Sequence, residues 1–144
     1  MRKRYPVMAL AVILRLGWPG EGRAADLDEL SKYLAFIEGF QHLFEFCQAE
    51  AKLPVTQVKY ARDHIGDRRA LIFAGLSENE RTKISADAAA KKKQMLDGIM
   101  QHAAKEQPNK KLKDLCKEGF FEGVMESEQK SEAKETAAIR KAKN

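Results

Sequence analysis

Apolar residues recur at steps of three and four in four stretches of the chain, and no stretch alternates convincingly as a β-strand does. The first stretch begins at Asp26, a favourable N-cap residue, and Glu29 follows three positions later in a capping-box arrangement. Its apolar positions are Leu27, Leu30, Leu34, Ile37, Phe40, Phe44 and Cys47, widened by Phe36, Leu43 and Phe46. They predict a helix that is buried on more than one side and ends before Pro54.

The second and third stretches carry helix start and stop signals. A proline near the first turn and Gly75 as the C-terminal stop predict a helix over roughly 55–74. Ser77 and Glu80 form the next capping box, and the helix that they start is expected to end before Pro108. The apolar faces of the two helices are Val58, Ala61, Ile65 and Ile72, and then Ile84, Ala88, Met95, Ile99 and Ala103.

A fourth helix is predicted to begin near Asn109. Its apolar residues are Leu112, Leu115, Cys116, Phe120 and Val124. Gly119 and Gly123 lie one turn apart on it, where either another backbone approaches closely or the glycines are simply tolerated. Residues 127–144 contain one large apolar residue, Ile139, among Glu, Lys, Ala and Ser. Because such a segment buries too little surface to offset its ordering entropy, it is predicted to be frayed or disordered, or to stay an exposed helix.

These elements predict an all-α protein, a small antiparallel bundle of about four helices with short connections. The length of 144 residues suits one domain, which we place at residues 25–126. A leader at residues 1–24 precedes this domain, and the polar tail at 127–144 follows it.

The leader has the parts of a secretory signal peptide. Residues 2–4 form a positive n-region, and an apolar run over 7–14 follows them. As a helix that run would span only about 12 Å, which is too short for stable membrane insertion. Small residues at Gly22 and Ala24 favour cleavage after Ala24. We therefore expect a periplasmic or secreted protein, and the alternative is a frayed cytosolic N-terminus.

The two cysteines, Cys47 and Cys116, fit neither a haem motif nor a zinc motif. Two cysteines in an exported chain most often form a disulfide. Such a bond would join the first and last helices, and closing a loop of about 70 residues would stabilise the fold by about 4 kcal/mol. The alternative is a pair of buried free thiols.

The charge balance gives little support for nucleic-acid binding. The chain has 26 Lys and Arg against 21 Asp and Glu, a net charge of +5. Five of these cations and one anion lie in residues 1–24, which leaves 21 cations and 20 anions, or +1, for residues 25–144. Binding by counterion release therefore has a weak electrostatic basis. The lysine clusters at 91–93 and 110–113 are expected to be solvated surface.

The sequence carries no motif of a known catalytic or cofactor site. Glycine-rich phosphate loops, a nucleophile elbow and Glu-x-x-His pairs are all absent, so we expect no cofactor and no enzymatic activity. Glu38, His42 and Glu45 share one helical side and are weak metal candidates, although a solvated polar face explains them more simply. His64 follows Asp63, and because adjacent helical residues do not face each other, we expect His64 at the surface.

Five residues depart from the pattern, and four of them are the binding candidates: Arg68, Arg69, Phe121 and Met125. Arg68 and Arg69 flank the stripe of the second helix, each about 20° outside one edge. They either snorkel to the rim of the bundle or, in the case of Arg69, pair with a buried carboxylate or face an acidic partner. Lys92 interrupts the stripe of the third helix. Phe121 and Met125, an i,i+4 pair, either complete a wide core or form an exposed patch for a partner or second subunit.

The leading hypothesis is a non-enzymatic exported helical protein that binds another macromolecule, in the first place a protein, in the periplasm. A chaperone-, inhibitor- or assembly-type role fits that class, and self-association is a further option. The alternative hypothesis is an enzyme or small-ligand carrier with an interhelical pocket near Arg69. A third and weaker hypothesis is a metal-responsive sensor that uses Glu38, His42 and Glu45.

Overall fold

A computed structural model describes residues 25–106 and 110–144, which form five α-helices and, within those ranges, no strand. The helices are α1 (Leu27–Glu50), α2 (Val55–Phe73), α3 (Glu78–Glu106), α4 (Leu112–Lys117) and α5 (Phe120–Lys143). None of the described helices is long and apolar enough to cross a membrane. The predicted all-α bundle is thereby confirmed.

Some of the sequence predictions concern parts of the chain outside the described residues. The signal peptide at residues 1–24 is one of them. The predicted stop at Pro108 and the predicted start near Asn109 also lie outside, as do the side chains of Ile99 and Ala103 on the inner face of α3.

The predicted helix boundaries follow from local hydrogen bonds. The Asp26 carboxylate accepts a hydrogen bond from the Glu29 N–H (3.1 Å) at the start of α1. Ser77 and Glu80 form a reciprocal capping box at the start of α3, with distances of 2.8 and 3.1 Å. Gly75 adopts a φ of +77°, the left-handed conformation that ends α2. Each of these signals acts within a few residues of the boundary it sets.

Helix α1 lies at the centre of the bundle and contacts each of the other four helices. Its buried residues surround the helix axis: Leu30, Ser31, Leu34, Ala35, Ile37, Gly39, Phe40, Leu43, Phe44 and Cys47. The expectation that this helix is buried on more than one side is therefore confirmed. A helix that is apolar on most of its circumference is stable only where neighbours cover it.

Helices α2 and α5 run in the same direction, opposite to that of α1. Phe121, near the start of α5, packs on Phe40 and Phe44 with ring centroids 5.3 and 5.6 Å apart. At the other end, the Asp26 N–H donates a hydrogen bond to the Ala142 carbonyl (2.7 Å). A lysine near the end of α5 also donates to backbone carbonyls at the end of α2.

Small residues bring α3 close to α1. Ser31, Ala35 and Gly39 are four positions apart on α1, and all three are buried. A Cβ placed on Gly39 would lie 3.1 Å from the Sδ atom of Met95, which is tighter than an ordinary contact. The Lys91 Nζ atom donates a hydrogen bond to the Ser31 Oγ atom (2.7 Å). On this face of α1 the two helices therefore pack through small residues and a short distance between their backbones, and not through large apolar side chains.

The predicted fourth helix is divided into α4 and α5. Gly119 lies between them with a φ of +89°, a conformation in which a side chain would be strained. A Cβ on Gly119 or Gly123 would meet nothing within 4 Å, so no other backbone approaches closely at either position. Gly119 is required by the turn, and Gly123 is simply tolerated.

Residues 127–144 are not a frayed or disordered tail, because α5 continues through them to Lys143. Ile139 is fully buried and belongs to the same apolar cluster as the core of α1 and α2. Most side chains of residues 127–144 are exposed, as the alternative of an exposed helix predicted, but the segment is docked on the bundle rather than isolated. Interhelical ion pairs also hold this segment, since Glu128, Glu132 and Glu135 contact cationic side chains of α2.

The Sγ atoms of Cys47 and Cys116 lie 2.13 Å apart, at bonding distance, and both residues are buried. The bond joins α1 to α4 rather than to the last helix, because the predicted fourth helix is divided. Cys116 lies three residues before Gly119, so the bond fixes the position from which α5 begins.

Replacement of both Cys47 and Cys116 by serine is expected to lower the free energy of unfolding by about 4 kcal/mol, because a loop of about 70 residues is no longer closed. Urea unfolding of the oxidised protein and the double variant measures this difference. The unsubstituted protein in reductant is the matched control and should show a similar loss. Equal stability of the oxidised and reduced protein would contradict the prediction.

Candidate functional site

The seam between α2 and α5 holds a group of charged side chains that we call the ion cluster. Its members are His64 and Arg68 on α2, and Glu128, Glu132 and Glu135 on α5. The two α2 residues lie one turn apart, and both are buried. The three glutamates share one face of α5 at spacings of four and three. The cluster occupies the middle of α5, where the sequence has no large apolar residue.

His64 contacts a carboxylate with each ring nitrogen. Its Nε2 atom lies 3.0 Å from the Glu128 Oε2 atom, and its Nδ1 atom lies 3.2 Å from the Glu132 Oε1 atom. The ring of Phe40 packs edge-on against the imidazole, and the ring of Tyr60 stacks on it. An imidazole can donate to two carboxylates at once only when both nitrogens carry a proton. The geometry therefore favours the imidazolium form.

The pKa of His64 is raised above its ordinary value of 6.5. Burial alone lowers this pKa, but the hydrogen bond and charge of Glu128, together with the hydrogen bond of Glu132, outweigh burial. Because the pKa in the folded state is the higher one, the stabilisation from His64 is complete below the unfolded value of about 6.5. It is lost as the pH rises through the folded-state pKa.

Glu135 and Tyr60 have raised pKa values because of the same surroundings. Burial, followed by the charge of Glu128, raises the pKa of Glu135 above 4.5, although Arg68 opposes the shift. The Arg68 Nη1 atom donates to the Glu135 Oε1 atom at 3.1 Å. Burial and the charges of Glu132 and Glu128 raise the pKa of Tyr60 to about 12. The cluster thus sets three carboxylates against one permanent cation, an excess of negative charge that favours proton uptake.

A second polar surface is an open groove between α1, α2 and α3, of about 390 Å³, which we call the Arg69 groove. Its lining residues are Glu38, Gln41, His42, Glu45, Arg69, Ser85, Ala89 and Lys92. The Arg69 Nη2 atom donates to the Gln41 Oε1 atom (2.7 Å), and the Gln41 Nε2 atom donates to the Glu45 Oε2 atom (3.1 Å). A hydrogen-bonded chain therefore leads from α2 across the groove to the carboxylate on α1.

The four binding candidates lie in different environments in the structure. Arg68 does not snorkel; it is buried and paired with Glu135, the role that the sequence suggested for Arg69. Arg69 is half-buried and lines the groove named after it. Phe121 is fully buried and completes the core rather than forming an exposed patch. Met125 is half-buried and packs against the same core.

Glu38, His42 and Glu45 line the Arg69 groove but form no metal site. Across residues 25–106 and 110–144, no group of three His, Cys, Asp or Glu side chains could hold a metal ion. The expectation of a surface position for His64 is wrong, because contacts from α5 bury it. The sequence does place His64 and Arg68 one turn apart, and Glu128, Glu132 and Glu135 on one helical face, but neither pattern says that the two sets meet.

Arg68→Ala is expected to lower the free energy of unfolding by about 3 kcal/mol, because it leaves Glu135 largely buried without its cation. Arg69→Ala is the matched control at the next position, and it is expected to cost about 1 kcal/mol or less, since one half-exposed hydrogen bond is lost. Urea unfolding of both variants at neutral pH measures the difference. Equal losses of unfolding free energy in the two variants would contradict the prediction, because Arg68 would then stabilise the fold no more than Arg69 does.

The two polar sites differ in what they can bind. The ion cluster is paired internally between two helices, whereas the Arg69 groove is open and presents both signs of charge to an outside molecule. Comparison with known proteins adds no further candidate, since no protein-family model, no curated protein and no solved structure matches this chain.

Proposed function

We propose that this protein is a non-enzymatic, exported helical protein that binds another protein in the periplasm through the Arg69 groove. The observation that carries the proposal is the groove itself, which brings the cations Arg69 and Lys92 beside the carboxylates Glu38 and Glu45. An open surface with both signs of charge suits a polypeptide, because complementary charges across a protein interface fix its register and exclude wrong partners. A chaperone, an inhibitor and an assembly factor would each bind in this way.

The open form of the groove favours a protein over a small ligand. Small-molecule sites bury about 70–90% of the ligand surface in a concave and mostly apolar pocket. The Arg69 groove is lined mainly by charged and amide side chains, and Gln41 already accepts a hydrogen bond from Arg69. An enzyme or small-ligand carrier with its pocket at Arg69 is therefore the less supported hypothesis.

The state of the thiols and of His64 also supports a binding role. Cys47 and Cys116 are bonded to each other, so neither is a thiolate nucleophile. His64 has both ring nitrogens against glutamate carboxylates, and α5 covers it. His42 lies exposed in the groove, where it offers a polar contact to a bound chain.

Two independent features support export. Residues 1–24 have the charge and hydropathy pattern of a signal peptide. The Cys47–Cys116 pair is at bonding distance, and disulfides persist mainly in oxidising compartments such as the periplasm. Both features point to the same side of the inner membrane.

Expression of the complete chain in a Gram-negative host is expected to give a periplasmic product that begins at Ala25. Intact mass measured with and without reductant and alkylation should show the loss of residues 1–24 and two thiols that react only after reduction. The same chain without residues 1–24 is the control and should stay in the cytosol. A product that retains Met1 and has reactive thiols would contradict export.

A photo-crosslinking residue at Ala89, which is exposed and lines the Arg69 groove, is expected to capture a periplasmic protein. Ala90 is also exposed but does not line the groove, so the same residue there is the matched control. Arg69→Glu should reduce capture at Ala89 several-fold, because it reverses the charge of the α2 side chain that lines the groove. Mass spectrometry of the crosslinked bands measures both effects. Equal capture at the two alanines, or capture that Arg69→Glu leaves unchanged, would overturn the proposal.

A further inference from the structure

We propose that α5 is a hinged latch, which the ion cluster holds against α2 and which tightens when the cluster takes up a proton and loosens when it releases one. The latch is a property of this chain alone and does not depend on the partner-binding role of the Arg69 groove.

The attachment of α5 differs along its length. Phe121 at its start is buried against two phenylalanines of α1. Ile139 near its end is buried, and the Ala142 carbonyl accepts the hydrogen bond from the start of α1. Residues 126–138 between these points contain no large apolar side chain. The ion cluster therefore provides the main specific attachment over the middle of the helix.

The start of α5 has the features of a hinge beside a fixed point. The Cys47–Cys116 bond fastens α4 to α1 three residues before Gly119. Gly119 has a φ of +89°, and a Cβ there would meet nothing within 4 Å. Undocking of α5 would pivot at this glycine, because the disulfide keeps α4 in place, and it would also release the contacts of Phe121, Ile139 and Ala142 with α1.

The charges that face one another across the seam are unequal. The titratable side chains around His64 are Tyr60 and Arg68 on α2, and Glu128, Glu132 and Glu135 on α5, with Asp67 and Arg140 lining the adjacent groove. Helix α1 contributes the uncharged ring of Phe40. With His64 neutral, the three glutamates of the cluster oppose one cation, and protonation of His64 adds the second. The docked arrangement thus binds protons more tightly than the separated helices do.

The pKa shifts have the direction that this excess of negative charge requires. The pKa of His64 is raised because Glu128 and Glu132 outweigh burial, and the pKa of Glu135 is raised by burial and by Glu128. A raised pKa in the docked state means that docking is favoured at lower pH and weakens as the pH rises through that pKa. In strong acid, protonated carboxylates would leave His64 and Arg68 without ionised partners. Docking is therefore firmest in mild acid.

Amide hydrogen exchange of the oxidised protein, followed by NMR from about pH 5.5 to about pH 8, tests the latch. After correction for the intrinsic pH dependence of exchange, protection of residues 126–138 should fall about tenfold for each unit by which docking raises the pKa of His64. Protection in the centre of α1 should stay constant. The chemical shift of the His64 ring should titrate at the docked-state pKa, which is the pH at which the loss of protection is nearly complete.

Two conservative variants assign the effect to the cluster. Glu132→Gln removes the carboxylate beside both His64 and Arg68, and it should flatten the pH dependence of protection in α5. Glu126→Gln changes an exposed glutamate of the same helix and should leave the dependence intact. His64→Gln should abolish it, and if that variant fails to fold, the comparison of the two glutamate variants decides alone. Protection that does not vary with pH, or equal behaviour of the two glutamate variants, would overturn the proposal.

Discussion

The burial of α1 is the constraint on which the rest of the structure depends. Its buried residues surround the helix axis. Every side of α1 must therefore pack against another helix, because exposure of any side to water would lose hydrophobic stabilisation. Helices α2, α3 and α5 each cover one side, and α4 is fastened to its last turns through Cys47 and Cys116. The other helices therefore need only one well-packed face each, which explains how long polar segments such as residues 126–138 remain part of a folded domain.

The neighbours cover α1 by different physical means. Helix α3 approaches closely over Ser31, Ala35 and Gly39, where contact depends mainly on shape, and the Lys91–Asp28 ion pair lies at one end of this face. Helix α5 is anchored to α1 by apolar contacts near its two ends, and its middle is held to α2 by ion pairs. Ion pairs depend on protonation and ionic strength, whereas close apolar contact does not. The stability contributed by close packing is therefore nearly independent of pH and salt, whereas the stability contributed by the ion pairs depends on both.

The same division explains what could be predicted from the sequence. Helix boundaries depend on residues a few positions apart, so Asp26, Ser77 and Gly75 marked them correctly. His64 and Glu132 are 68 positions apart, and no local pattern reveals that they meet. Periodicity of large apolar residues also fails to detect a face made of small ones, which is why the close α1–α3 contact was not foreseen. For Phe121, the sequence left a buried and an exposed role open, because the choice depends on what lies opposite.

Helix α2 connects the two polar sites. Arg68 and Arg69 are consecutive, so their side chains point about 100° apart, one into the ion cluster and the other into the Arg69 groove. The two sites therefore share one helix as a wall. Helix α2 is held to α1 by Ala61, Ile65 and Ile72 in the shared core and by the hydrogen bond between Arg69 and Gln41, and none of these contacts is an ion pair. Opening of the seam between α2 and α5 and binding in the Arg69 groove therefore depend on different contacts of the same helix, so each can be tested without disturbing the other.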